Sequence, residues 1–100
     1  MTRPIHVAQL DKARPVLILT REIVRPHLDS VTVAPITGTI RGLSTEVSVG
    51  IANGLDRPSV VACDHVTTIP KEALGTRIGL LLDDQERPLS EAIHAAFDLD

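Results

Sequence analysis

Aromatic side chains are almost absent from this sequence: Phe97 is the only one among 100 residues, and there is no Tyr or Trp. A hydrophobic core must therefore be packed from aliphatic residues, and the many β-branched side chains suit the pleated surface of a sheet. The hydrophobic fraction of 43% and the charged fraction of 23% are ordinary for a globular chain and argue against disorder. At this length we expect one domain spanning residues 1–100.

Cysteine is represented by Cys63 alone, which excludes an intramolecular disulfide. No apolar run approaches the roughly 20 residues needed to cross a bilayer, and residues 1–10 lack the continuous apolar segment of a secretory signal. One cysteine and its neighbouring histidine are too few for a metal site. We therefore expect a cytoplasmic protein with no membrane partner, no metal and no other cofactor.

Charge is distributed unevenly along the chain, although the net charge is only −3. Residues 1–41 contain six cations and three acids, a local net charge of +3, whereas residues 42–100 contain four cations and ten acids, a local net charge of −6. Such an asymmetry allows one basic face on an acidic protein. It is equally compatible with two solvated surfaces of opposite sign.

Short β-rich segments separated by turn residues dominate the rest of the pattern. Strands are predicted at residues 5–10, 14–20, 31–37, 45–49, 59–63 with a continuation to 69, and 77–82. Helical structure is predicted at residues 21–28, as a single turn at 70–74, and as a C-terminal helix at 90–99. A slip of the apolar alternation around Pro35 indicates a bulge that re-aims Thr37. These elements predict a mainly β fold with short helices, a small and strongly bent antiparallel sheet or barrel.

The tripeptide Cys63-Asp64-His65 resembles a nucleophile and base only in composition. On a strand, Cys63 and His65 would share one face and Asp64 the other, so they cannot form a catalytic triad. A small buried thiol is the favoured interpretation of Cys63. His6 and His65 stay candidates for acid–base chemistry, although no histidine spacing in the sequence indicates a pair.

Arg14 and Thr37 each admit two interpretations from the residues alone. Arg14 is either a strand residue that is solvated or ion-paired with Asp11, or a guanidinium aimed at phosphate, for which its planar fork is suited. Thr37 is either an ordinary strand residue or a hydroxyl donor to a phosphoryl oxygen. The residues themselves do not decide between these alternatives.

Three blocks of the sequence resemble the MazF/PemK toxins in matching order. Residues 12–20, Lys-Ala-Arg-Pro-Val-Leu-Ile-Leu-Thr, resemble the family's Arg-Pro-Val-Leu-Val signature. Residues 31–37 resemble its second block, an apolar strand that ends in Ile-Thr, and Pro-Ser-Val-Val at 58–61 with the segments at 67–70 and 78–79 resembles the third. The resemblance extends from about residue 5 to residue 99.

The resemblance implies an SH3-like barrel and a homodimeric toxin of a type II toxin–antitoxin system. Members of this family cleave single-stranded RNA at short motifs without a metal, leaving a 2′,3′-cyclic phosphate and a 5′-hydroxyl. Their catalytic pair corresponds to Arg14 and Thr37. The family's RNA lies in a groove across the dimer, and the acidic C-terminal segment of a MazE-type antitoxin blocks that groove.

Two departures from the family pattern affect RNA recognition. Residues 11–13 nearly abolish the usual loop before the Arg-Pro-Val block, so a more open groove is expected. Aromatic rings for base stacking are also missing. RNA contacts are therefore expected from the polar side chains Lys12, Thr39, Arg41, Asp64 and His65.

Two alternatives to the ribonuclease stay open at this level. One is a nonenzymatic SH3-like module that binds a protein, and the other is a gyrase poison of the CcdB type, which shares the fold. The block that contains Arg14 and the pair Ile36-Thr37 favours the ribonuclease. The target expected from the resemblance is single-stranded RNA: messenger, ribosomal or transfer RNA.

Overall fold

Seven strands and one α-helix make up the computed structural model, which describes residues 2–99. The strands are β1 Pro4–Gln9, β2 Ala13–Ile18, β3 Ser30–Thr37, β4 Glu46–Val49, β5 Ser59–Ala62, β6 Thr67–Pro70 and β7 Leu74–Leu80, and the helix is α1 Glu86–Ala96. Within residues 2–99, no helix is long and apolar enough to span a membrane.

All strand pairs are antiparallel, and the order β4-β5-β3-β2-β1-β7 is extended by β6, which also pairs with β3. The expected antiparallel β fold with a C-terminal helix is confirmed. In residues 2–99 the end strands β4 and β7 do not pair with each other, so the barrel stays open.

The sheet bends at β3, because this strand exchanges partners along its length. Residues 30–35 pair with β6 and β2, whereas Ile36 and Thr37 pair with β5. Two aliphatic clusters fill the two sides of the bend. Val31 and Val33 belong to one cluster, while Ala34 and Ile36 belong to the other, where Leu89 of α1 is also buried.

The slip of alternation in β3 is real, but the bulge that we expected from it is not seen. Val33 and Ala34 are both buried, yet the register with β2 runs without interruption from Val33 to Pro35. The slip arises because β3 passes from one core cluster to the other. Register shifts occur instead between β1 and β7, near His6.

Four other expectations about elements were wrong in their extent. The last strand, predicted at 77–82, is β7 and begins at Leu74 and ends at Leu80. The predicted strand from 59 to 69 is broken by a 3₁₀ turn, Cys63–His65, because β5 and β6 pair with opposite ends of β3. The predicted helix at 21–28 is reduced to a 3₁₀ turn at Arg25–His27. The C-terminal helix begins at Glu86 rather than at 90, since Pro88 falls in the first turn, where its missing N–H is tolerated.

Candidate active site

The candidate site forms where β2 and β3 separate. Their ladder pairs Val16 with Pro35, and continuing this antiparallel register by two residues places Arg14 opposite Thr37. Proline has no N–H to donate to the ladder, and beyond it Thr37 pairs with Val60 of β5 instead. The opening between the diverging strands is the mouth of a cavity.

This cavity has a volume of about 420 Å³. It is lined by residues from the β1–β2 turn, the point where β2 and β3 separate, the loop before β4 and the turn after β5: Leu10, Asp11, Arg14, Pro35, Thr37, Thr39, Arg41, Leu43, Thr45, Glu46, Ala62, Asp64 and His65. Six of the seven site residues predicted from the sequence thus face one concave surface. The seventh, Lys12, is exposed in the β1–β2 turn and is not part of the lining.

Arg14 is partly buried and does form the ion pair that the sequence left open. Its Nη2 lies 3.0 Å from the Asp11 carboxylate, and the exposed fractions of the side chains are 27% for Arg14 and 73% for Asp11. Such a partly exposed pair contributes only about 0–1 kcal/mol. The Nε of Arg14 is buried without a hydrogen-bond partner, which disfavours this arrangement further. The guanidinium can therefore exchange Asp11 for an incoming phosphate at little cost.

Thr37 is the last residue of β3, and its side chain accepts a local hydrogen bond. The backbone N–H of Thr39 donates to Thr37 Oγ1 at 3.1 Å, so the oxygen is oriented by the following turn. The hydroxyl proton is not used in that bond. Thr37 can donate it to an oxygen placed in the cavity.

The carboxylate of Glu46, which the sequence analysis did not identify, orders the loop before β4. Glu46 Oε1 accepts hydrogen bonds from the backbone N–H groups of Arg41, Gly42 and Leu43, at 3.2, 2.9 and 3.2 Å. Gly42 has a φ of +72°, a conformation that favours glycine. This network holds residues 41–43 over the cavity, and in the sequence Glu46 gave no signal beyond a polar residue at a strand start.

The turn after β5 corrects the strand-based argument about the Cys-Asp-His tripeptide. In the 3₁₀ turn, Asp64 and His65 both reach the cavity, whereas Cys63 is buried in the core. Asp64 accepts a hydrogen bond from Thr45 Oγ1. Burial, together with the Asp64 charge, raises the pKa of Cys63 to about 11. The thiol therefore stays protonated at neutral pH and is a poor nucleophile.

A pair of catalytic histidines is not assembled at this site. His65 is the histidine in the lining, while His6 lies elsewhere, with Nδ1 3.0 Å from the carbonyl oxygen of Gly75. Within the described part of the chain, no three His, Cys, Asp or Glu side chains come together as a metal-binding group. The site is instead a cavity with a guanidinium and a hydroxyl on facing strands.

Comparison with known proteins identifies relatives of the chain. The family model of the PemK-like, MazF-like toxins of type II toxin–antitoxin systems matches residues 4–97. The chain is 69% identical over 98 residues to endoribonuclease MazF3 of Mycobacterium tuberculosis, covering 98% of this chain and 95% of that protein.

Solved structures agree with the family match. The Mycobacterium tuberculosis toxin MazF-mt6 superimposes with a TM-score of 0.96 at 69% identity, covering 98% of this chain and 99% of that one. A mycobacterial endoribonuclease in complex with its cognate antitoxin shares the fold, with a TM-score of 0.87 at 24% identity and coverage of 97% and 93%. These matches do not favour a gyrase poison or a nonenzymatic module. The chain belongs to the PemK-like, MazF-like toxins of type II toxin–antitoxin systems.

Proposed function

We propose that this toxin is a metal-independent endoribonuclease that cleaves single-stranded RNA in the cytoplasm, with Arg14 and Thr37 as its catalytic residues. Endoribonuclease activity follows from the family. The observation that supports the catalytic pair is that Arg14 and Thr37, each two residues beyond the last β2–β3 pair, line the same 420 Å³ cavity. A cavity of that size accommodates a nucleotide-sized group.

The reaction needs alignment and charge stabilisation more than a protein nucleophile. The RNA 2′-oxygen attacks the adjacent phosphorus, the bond from phosphorus to the 5′-oxygen breaks, and the proton lost by the 2′-hydroxyl is balanced by one gained at the 5′-oxygen. The products are a 2′,3′-cyclic phosphate and a 5′-hydroxyl. Negative charge grows on the phosphoryl oxygens, where two N–H donors of Arg14 and the hydroxyl of Thr37 stabilise it.

Variants at the two residues test this assignment. Arg14→Ala should remove nearly all activity, and Arg14→Lys should restore little, because an ammonium cannot reproduce the planar two-donor contact. Thr37→Ala should lower kcat by about 10- to 1000-fold, the range for removing one transition-state hydrogen bond, while Thr37→Ser should keep much of the rate. Cleavage of a fluorogenic RNA in excess chelator provides the measurement, since the 2′-hydroxyl attack requires no metal-bound water.

Matched controls separate this site from a histidine-based one. His6→Ala and His65→Ala should change affinity or sequence preference at most. All variants must match the wild type in circular dichroism and sedimentation. A folded and active Arg14→Ala protein, or a protein silenced by His65→Ala alone, would contradict the assignment. Sequencing of 5′-hydroxyl RNA ends after brief induction would then define the motif and the RNA class.

The active form is proposed to be a homodimer, with RNA in a groove shared by the two protomers and with a MazE-type antitoxin as the natural inhibitor. Large apolar side chains remain exposed on the single chain, including Ile23 at 77% and Ile51 at 76%. Burying a self-complementary aliphatic patch removes part of that surface from water.

A further inference from the structure

A second cavity lies beside the candidate site, on the other face of the same two strands. Its volume is about 340 Å³, and it is lined by Pro15, Ile36, Gly38, Gly54, Leu55, Asp56, Arg57, Ser59 and Ile78. Side chains alternate along a strand, so Arg14 and Thr37 face the first cavity while Pro15 and Ile36 face the second. Gly38, immediately after Thr37, lines the second cavity.

The side chain of Arg57 lies against Gly38. A Cβ atom built on Gly38 would be 3.2 Å from Arg57 Nε and 3.4 Å from Cζ, so the guanidinium rests on the glycine backbone. The arginine's own backbone is held by the buried Ser59, whose hydroxyl donates to the Arg57 carbonyl oxygen at 3.1 Å. The guanidinium is thus placed one residue away from the catalytic threonine.

No acidic side chain of the described residues forms an ion pair with Arg57. Among residues 2–99, the ion pairs within 4.0 Å are those of Arg3 with Glu86 and of Arg14 with Asp11, and Arg57 is exposed. Asp56 lines the same cavity without pairing with Arg57 at that distance. A positioned and unpaired guanidinium is suited to the bidentate recognition of a phosphate.

We propose that Arg57 binds an RNA backbone phosphate next to the scissile one. The RNA would pass over Gly38 on its way from the first cavity to the second. This inference rests on the proposed ribonuclease function. The phosphate that Arg57 contacts does not change its bonding during the reaction, so the contact is equally strong in the ground state and in the transition state. It therefore acts on KM and leaves kcat unchanged.

The experiment compares Arg57→Gln with Arg87→Gln, which removes the same charge from an exposed position on α1. Binding is measured with an RNA that carries a 2′-deoxy nucleotide at the cleavage position and cannot react. We expect Arg57→Gln to raise KM and Kd about tenfold, the effect of one charged hydrogen-bonded contact, with kcat within about twofold of the wild type. The slope of log Kd against log salt should fall by about 1. Arg87→Gln should change neither the Kd nor this slope. Asp56→Asn should lower Kd, because it removes a negative charge beside the phosphate.

Three results would overturn the proposal: equal Kd values and salt slopes for the two arginine variants, a loss confined to kcat, or weaker inhibition by an acidic antitoxin peptide with unchanged RNA binding. The last result would assign Arg57 to the antitoxin instead. Failure of the ribonuclease proposal is distinguishable, since it would appear as an inactive wild type or an active Arg14→Ala variant in the same assays.

Discussion

The thiol of Cys63 lies one residue from the cavity and yet belongs to the core, where its exposed fraction is 1%. Its pKa is raised from 9.0 to about 11, by burial first and by the Asp64 charge second. Because the folded pKa lies above that of the unfolded chain, folding favours the neutral thiol. This contribution to stability is complete below pH 9 and is lost as the pH rises through about 11.

Urea denaturation at pH 8 and at pH 10.5 measures this contribution. The free energy of unfolding should fall between the two values, and it should fall less in Cys63→Ala, in which no thiol ionises. The comparison uses the difference between pH values within each variant, so the packing loss from the smaller side chain cancels. Equal pH dependence in the two proteins would show that Cys63 is not the titrating group.

The physical chemistry of the residues alone predicted neither the role of Arg14 and Thr37 nor their arrangement. Arg14 and Thr37 were singled out by resemblance, and the residues alone left both the ion pair with Asp11 and the phosphate contact open. Their facing positions depend on the register of β2 against β3, which a long-range pairing sets and no local pattern reports. Glu46 was missed for a similar reason, since its three partners are backbone amides without side-chain signatures.

The loop before β4 depends on one carboxylate, and this makes its order testable. Glu46→Ala removes the acceptor for the amides of residues 41–43, so their hydrogen exchange should become faster while exchange in β4 is unchanged. KM for RNA should rise several-fold, because the backbone around Arg41 is no longer held at the cavity. Glu46→Gln keeps a neutral acceptor and should give an intermediate effect.

The matched control for the loop is Glu91→Ala, which removes an exposed carboxylate on α1. It should leave both exchange and KM unaltered. If amide exchange at 41–43 in Glu46→Ala equals that of the control, the carboxylate does not order the loop.

Element types were predicted well, whereas the places where strands change direction were not. Apolar and β-branched residues flank Asp64 and His65 on both sides, so the alternative of one continuous strand was favoured although this polar pair falls in the turn at Cys63–His65. The break is imposed by β3, whose two ends accept β5 and β6 separately. That tertiary requirement also explains why Asp64 and His65 reach the same cavity although a continuous strand would have separated them.

For the whole molecule, the uneven charge distribution predicts how inhibition works. The basic segment at residues 1–41 supplies both arginines of the first cavity, Arg14 and Arg41. A disordered acidic antitoxin segment should cover this surface and compete directly with RNA. Its affinity should fall as salt rises from 50 mM to 500 mM, because the attraction is screened.

Competition titrations with the noncleavable RNA and a synthetic acidic antitoxin peptide test this prediction. The apparent Kd of the RNA should increase linearly with the peptide concentration, from its value without peptide. A ternary complex of toxin, peptide and RNA with unchanged RNA affinity would show that inhibition is not competitive.

The pairing of β1 with β7 joins the first and the last strand to be synthesised. Every residue of the candidate site precedes residue 66, but β1 gains its second neighbour only when β7 is available, and the Arg3–Glu86 ion pair and Leu89 come later still. Contacts between such distant segments form late, after a large loop has been closed. A ribosome that has translated the whole candidate site therefore still carries a chain with an unfinished sheet, and the support for that site is complete only after the last third of the protein has emerged.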